Sequence, residues 1–244
     1  LHDALPIFQA DFAAGTAHEA AGKAGSAQLT RAVLDLGVAG MDETQIANRI
    51  ADLGAKLSGG VDMDRASVSL RTLAMPDKRE AALDLLRAIL STPQFPGEVF
   101  EREKARSVAA IKEALTRPDT IASRAFWTAM YATHPYGSHA TPESVGALVR
   151  SDALAFYHAN YTAQRCTLTI IGDLTRAQAE QVAERLTSDL PVGPPAASIP
   201  VPQLPAAGEQ RLAHPAAQAH ILLGLPALKR GDPDFFPLDR KSVV

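Results

Sequence analysis

Hydrophobic positions along the chain switch between a strand period and a helical period. Phe8 to Ala14 reads as a strand and is followed by a glycine-bearing loop over residues 15–25. From Gly25 to Gly37, Leu29, Ala32, Val33 and Leu36 recur at the helical period, which predicts an amphipathic helix with Gly37 placed to stop it. Asp42 with Gln45 has the form of a capping box, Ile46, Ile50 and Leu53 supply a buried stripe, and Gly54 sits where a left-handed C-cap belongs. Ala55 to Asp62 and Arg65 to Ala74 predict two antiparallel strands. In the second, Ala66, Val68, Leu70 and Thr72 alternate with Ser67, Ser69 and Arg71.

Beyond Pro76 the helical period predominates. Helices are predicted over Lys78 to Leu90 and Glu98 to Leu115, separated by the Pro93 and Pro96 turn. The second is expected to bury Val99, Phe100, Val108, Ile111 and Leu115 before Arg117-Pro118 ends it. A third helix carries Phe126, Trp127 and Met130 into the loop His134 to His139, and short helices start near Pro142 and Ser151. Cys166 to Asp173 reads as a buried strand, and Thr175 with Gln178 starts a helix running to Leu190. Residues 191–210 shift to proline, alanine and glycine, the composition of a linker. Gln218 to Gly224 then reads as a new strand and Asp232 to Leu238 as the start of a helix. The pattern implies an α+β chain: one complete domain over 8–190, a linker over 191–210, and the opening of a second domain over 211–238.

Composition narrows the function classes. With 46% hydrophobic and 21% charged residues the 244-residue chain is globular, and a net charge of -3 with a pI near 6.2 provides no basic stripe for nucleic acid. No apolar run approaches the ~18 residues of a membrane span. Cys166 is the sole cysteine, so there is neither an internal disulfide nor a cysteine zinc motif. The two ends mirror each other: the reverse complement of one coding string for His2 to Ile7 translates to Asp239 to Val244. Residues 1–7 and 239–244 are therefore expected to be non-native, adapter-derived ends, with natural sequence continuing beyond Phe8 and Leu238.

Several stretches occur in an order that resembles the insulinase/pitrilysin family of inverted zinc metallopeptidases. They are Ala14-Gly15-Thr16-Ala17, Gly25-Ser26-Ala27, Leu53-Gly54-Ala55, His134-Pro135-Tyr136-Gly137, Ile171-Gly172-Asp173, Gln218-Ala219-His220-Ile221 and Asp232-Pro233-Asp234. The resemblance implies helix-backed antiparallel sheet domains of the processing-peptidase type, two similar halves forming part of a clamshell around a peptide chamber. In active members the first helix carries H-x-x-E-H. Its two histidines share one helix face and reach zinc at about 2.0 to 2.1 Å, and its glutamate polarises the metal-bound water.

The corresponding positions here are Gln28-Leu29-Thr30-Arg31-Ala32. Gln28 is a poor zinc ligand, Ala32 has no donor atom, and the Arg31 guanidinium cannot accept a proton at neutral pH. Aligning Glu103 and Pro118 with the family's downstream helix puts Ala110 where a distant glutamate ligand belongs. Neither catalytic nor metal-binding residues are therefore expected in this chain, and no cofactor. Zinc is expected in a catalytic partner.

Other candidates read as structural. His18-Glu19 is half of an H-E-x-x-H motif whose second histidine position is Gly22, and is expected to be a solvated loop pair. Glu113, a turn past Ala110, reads as a solvated helix charge. His134 and His139 are expected to be exposed imidazoles of a turn, His214 and His220 to lie apart, Cys166 to be a buried inert thiol, and Asp62 and Asp64 to be solvated strand-end carboxylates.

The resemblance implies a noncatalytic subunit that shapes the peptide chamber with an H-x-x-E-H-bearing partner, binds extended peptide along an open sheet edge, and resides in the periplasm or cell envelope of a bacterium. The substrate-gripping arginine and tyrosine of such subunits would lie beyond Leu238. The alternatives are a structural scaffold derived from the same fold and, less favoured, an active zinc peptidase.

Overall fold

The computed structural model describes residues 5–203 and 205–239. Strand β1 (Ile7–Phe12) leads through a 3-10 turn at Thr16–His18 into helix α1 (Ser26–Val33). A short ribbon of β2 (Gly37–Val38) and β3 (Met41–Asp42) precedes α2 (Glu43–Asp52), and β4 (Lys56–Val61) and β5 (Ala66–Arg71) form a hairpin. A helical excursion follows through α3 (Pro76–Ser91), α4 (Gly97–Ala114), α5 (Pro118–Tyr131), α6 (Pro142–Gly146) and α7 (Arg150–Asn160). The chain then forms β6 (Cys166–Ile171), α8 (Arg176–Thr187) and, after a long irregular stretch, α9 (Phe235–Asp239). Of the ends expected to be non-native, residues 1–4 and 240–244 lie outside the described residues, whereas Ile7 opens β1 and pairs with Arg71 and Ile171.

The main sheet is antiparallel with strand order β4-β5-β1-β6, so β4 and β6 are its edges. Register sets one apolar face: Phe8 lies opposite Leu70 and Ile170, Ala10 opposite Val68 and Leu168, and Phe12 opposite Ala66 and Cys166. The pleat puts these side chains on one side and Gln9, Asp11, Ser67, Ser69, Thr167 and Thr169 on the other. Helices cover the apolar face alone, with Leu83, Leu86 and Ile89 of α3, Phe156 and Tyr157 of α7 and Val182 and Leu186 of α8 in one core. Each large side chain so buried contributes about 1.5–3 kcal/mol relative to exposure. The Tyr157 hydroxyl donates to the Leu90 carbonyl at 2.7 Å, tying α7 to the end of α3.

Local chemistry starts the helices where the sequence predicts. Asp42 and Gln45 exchange capping hydrogen bonds at 2.8 and 2.9 Å, and Thr175 with Gln178 does the same for α8. Pro76, Pro118 and Pro142 occupy first-turn positions, where a missing N–H costs nothing. Gly54 adopts φ 59° just past α2, the left-handed conformation expected of it.

Tertiary packing departs from the one-dimensional pattern in several places. The first helix ends at Val33 rather than near Gly37, and Ala32, expected on its apolar face, is exposed while Ala27, Thr30 and Arg31 are buried. α1 is packed against α4, α7 and β4 at once, so its buried arc is wider than a single stripe. On α4 Phe100 alone is buried; Val99, Val108, Ile111 and Leu115 are half-exposed because this helix lies at the periphery. Cys166 to Asp173 is not a fully buried strand: β6 ends at Ile171 and alternates half-buried with exposed positions, as an edge strand does. Residues 218–224 form no strand, since no neighbouring strand among the described residues pairs with them. Residues 191–210, apart from Leu204 outside the described set, carry no helix or strand. Their start is nevertheless fastened: the N–H groups of Ala163 and Gln164 donate to the carbonyls of Pro191 and Val192 at 2.9 and 3.1 Å.

Leu86 of α3 is fully buried in the core. Leu86→Ala is expected to lower unfolding free energy by about 2–5 kcal/mol, whereas Ala110→Ser on exposed α4 should stay within about 0.5 kcal/mol. Urea denaturation of both variants checks this.

Candidate functional site

Helix α1 carries the positions singled out in the sequence, and it divides them between two faces. Gln28 and Ala32, one turn apart, are both exposed on its outward side. Arg31 points the other way and is 9% exposed. Its Nε donates to the Ser67 carbonyl of β5 at 3.0 Å, Nη2 to the Ser58 carbonyl of β4 at 3.4 Å, and Nη1 meets Asp35 Oδ1 at 3.2 Å. Arg31 is thus not a surface residue, as its polarity alone suggests, but a pin between the helix and the β4–β5 hairpin. The planar fork of guanidinium donors suits this task, because one side chain can reach two strands and a carboxylate together.

Gly59 makes the arrangement possible. Its φ is 154°, and a Cβ there would stand 2.0 Å from the Ser67 carbonyl oxygen and 2.9 Å from Arg31 Nη2. Glycine inside a strand marks close approach of another group, here a guanidinium. The Gly59-Gly60 pair and the Arg31-Asp35 spacing were the available sequence signals for the pin. The strand carbonyls that complete it had none.

The donor set around Gln28, Arg31 and Ala32 does not fit a zinc ion. An amide, a permanent cation committed to strand carbonyls and a methyl group cannot supply neutral or anionic ligands. Ala110 is exposed on α4, the helix packed beside α1. Glu113, also exposed, lies a turn further along α4. Among the described residues no three His, Cys, Asp or Glu side chains are grouped so as to hold a metal ion.

The remaining candidates are dispersed and mostly structural. Glu19 is not a solvated loop charge: its Oε1 accepts from the N–H groups of Gly25 and Ala27 at 3.0 and 2.9 Å, capping α1 from six and eight residues upstream. Burial pushes its carboxyl up to about 7, against the two N–H bonds, which pull it down. His18 is lowered by burial and by the Arg165 charge.

His134, expected to be exposed, is buried. Its Nδ1 accepts from the Tyr136 N–H at 3.2 Å while Nε2 lies 2.8 Å from the Pro200 carbonyl, so the ring clamps the turn to the irregular stretch after α8. His139 is half-buried, with Nε2 3.2 Å from the Arg124 carbonyl. Asp62 accepts from the N–H groups of Asp64 and Arg65 in the β4–β5 turn, and Asp64 accepts from the Tyr136 hydroxyl. Burial pushes the Cys166 thiol up to about 12, as an unreactive thiol requires. His214 and His220 lie exposed in the irregular stretch before α9.

The open edge of the sheet lies beside the pin. β4 pairs with β5 alone, and Lys56, Ser58, Gly59 and Gly60 are exposed along it. A cleft of about 270 Å³ at its far end is lined by Gln9, Asp11, Gly60, Asp62, Arg65 and Ser67.

Residues 147–242 match a family profile described as the peptidase M16 inactive domain. None of the curated proteins searched matches the chain. Among solved structures, the peptidase M16 inactive domain from Pseudomonas fluorescens is 34% identical and superposes with a TM-score of 0.80 over 83% of this chain and 50% of that one. A protease from Helicobacter pylori, at 15% identity and a TM-score of 0.71, covers 84% of this chain and 49% of its own. Pitrilysin, at 17% identity and 0.69, covers 82% and 22%. The last two show the fold alone. The chain spans about half the length of the first two structures and less than a quarter of the third.

Arg31→Met is expected to cost about 1–3 kcal/mol in chemical denaturation, because the strand carbonyls lose a charged donor. Arg31→Lys should recover part of it, since an ammonium reaches fewer acceptors. Glu19 carries a pH signature. The folded carboxyl holds its proton more tightly than the unfolded one, so its contribution is complete below pH 4.5 and is lost as pH rises through about 7. Glu19→Gln keeps the acceptor oxygen without the charge and should flatten this decline in thermal melts across that range. Parallel pH profiles for the two proteins would contradict the assignment.

Proposed function

We propose that this chain, which belongs to the insulinase/pitrilysin (M16) peptidase family, is a noncatalytic subunit that forms a peptide chamber with an H-x-x-E-H-bearing zinc peptidase of the same family. The observation that carries this reading is Arg31. At the position we align with the family's catalytic base stands a buried cation pinned to two strand carbonyls. It can neither accept the proton of an attacking water nor turn outward without breaking the contact between α1 and the hairpin.

Gln28 and Ala32 on the outward face, and Ala110 on the neighbouring helix, add no anionic or imidazole donor. Such a helix supports a wall and leaves zinc chemistry to the partner. In this reading residues 8–190 form the first chamber domain, 191–210 the linker, and 211–238 open the second domain. The chain works in the bacterial periplasm or cell envelope.

Peptide engagement would use the free side of β4. An extended segment added there takes main-chain hydrogen bonds for affinity, and the two glycines and Ser58 leave little side-chain bulk in its way. The chain then contributes binding and orientation to a reaction whose water is activated elsewhere.

Co-expression of the parent protein with an H-x-x-E-H-bearing family member should yield a copurifying complex that cleaves unfolded peptide, with zinc in the partner and none in this chain. A peptide N-methylated at alternate residues, which lacks main-chain donors, should bind the complex more weakly without dissociating it. A stable complex that binds no peptide would favour a scaffold. Stoichiometric, chelator-sensitive zinc in this chain alone, with cleavage, would overturn the proposal.

A further inference from the structure

A second cleft, of about 510 Å³, opens between α5, the end of α4, the loop after Gly137 and the linker. One face of α5 supplies Arg124, Ala125, Thr128 and Ala129, and Leu115 and Gln210 stand at its margins. Its size is within the range of small-ligand sites, about 300–1,000 Å³.

The charge in it is unbalanced. Arg124 is half-buried, donates from Nη2 to the Ala140 carbonyl, and has no carboxylate within ion-pair distance among the described residues. No acidic side chain lines the cleft. His139 adds no second cation at neutral pH: burial and then the Arg124 charge lower its proton affinity, outweighing the Arg124 carbonyl at Nε2, which raises it. Most arginines buried to this degree, Arg31 above all, have an acid beside them, and Arg165, which has none, is instead engaged by the Asn160 side-chain oxygen and the Ala13 and Pro194 carbonyls, whereas Arg124 has the Ala140 carbonyl alone. A desolvated guanidinium without a counter-charge is costly, and an incoming anion would offset that cost.

We infer that this cleft binds a carboxylate carried on a small apolar body, the Arg124 guanidinium taking the carboxylate and Leu115, Ala125 and Ala129 the apolar part. One cation matches a monoanion; a phosphate dianion would leave charge uncompensated beside apolar walls. The C-terminal end of a peptide and a free short-chain organic acid share this chemistry. The inference is independent of any partner subunit and of peptide pairing on β4.

Isothermal titration of the intact chain with acetyl-Ala-Ala, its C-terminal amide and butyrate tests it. The acid dipeptide should bind, and the amide should bind at least tenfold more weakly. Butyrate at equal strength assigns the site to free organic acids, and weaker butyrate binding assigns it to peptide ends. Arg124→Gln should lose at least tenfold in affinity for the acid. Ala129→Leu, which fills the cleft and leaves the guanidinium in place, should do the same, so a folding defect in the first variant does not decide the matter. Equal binding of acid and amide, full binding by Ala129→Leu, or no binding of either carboxylate at millimolar concentration would overturn the inference.

Discussion

A guanidinium buried under the first helix joins parts of the molecule that would otherwise meet only through apolar contact. Arg31 reaches the main-chain carbonyls of neighbouring strands, and α1 is in turn packed against α4 and α7. Moving this side chain would leave strand carbonyls without their donor and a charge without its acid, so α1, β4 and β5 are constrained to move together. The same constraint decides the chemistry of the helix. A residue that holds the hairpin from below is not free to act on a substrate above it. Gly59 is part of the same constraint, because any Cβ at that position would collide with the Ser67 carbonyl.

Around this joint the domain is unevenly consolidated. β1 and β5 are internal strands with fully buried apolar faces, and α3 covers them with a continuous row of leucines and isoleucine. α4 and α5 are different: α4 buries Phe100 alone, and α5 buries none of its side chains. Among the described residues no further strand pairs with β4 or β6, and the irregular stretch after α8 is held by a few backbone bonds and by the His134 clamp. The proposed peptide-binding edge and chamber wall would both draw on such unfinished surfaces. A helix or strand that satisfies all its own needs within one domain has little left to offer a second chain.

The fold was largely legible in the sequence because its determinants are local. Capping residues at Asp42 and Thr175, prolines at first turns, Gly54 after α2 and the period-two alternation of β5 each act within a few residues of themselves. The family was legible in another way, through the ordered matches along the chain. What the pattern misjudged was orientation. Polarity alone reads Arg31 as a surface charge, Glu19 as a loop charge and His134 as an exposed imidazole, and all three are engaged by backbone groups distant in sequence or beyond a loop. Polar side chains advertise exposure by composition, and nothing in composition records a carbonyl that awaits them.

The amino-acid sequence by itself determined the α+β class, most of the element starts, the family and the side-chain chemistry of Gln28, Arg31 and Ala32 on the first helix. Those properties follow from residue identity and short-range spacing, which folding does not change. Tertiary structure alone decided that Arg31 turns inward while Gln28 and Ala32 face out, that β4 rather than β5 has a free side, and that Arg124 lacks a counter-charge within its cleft. Each depends on which distant segments arrive beside a residue, and that is set by the packing of the whole domain around its sheet.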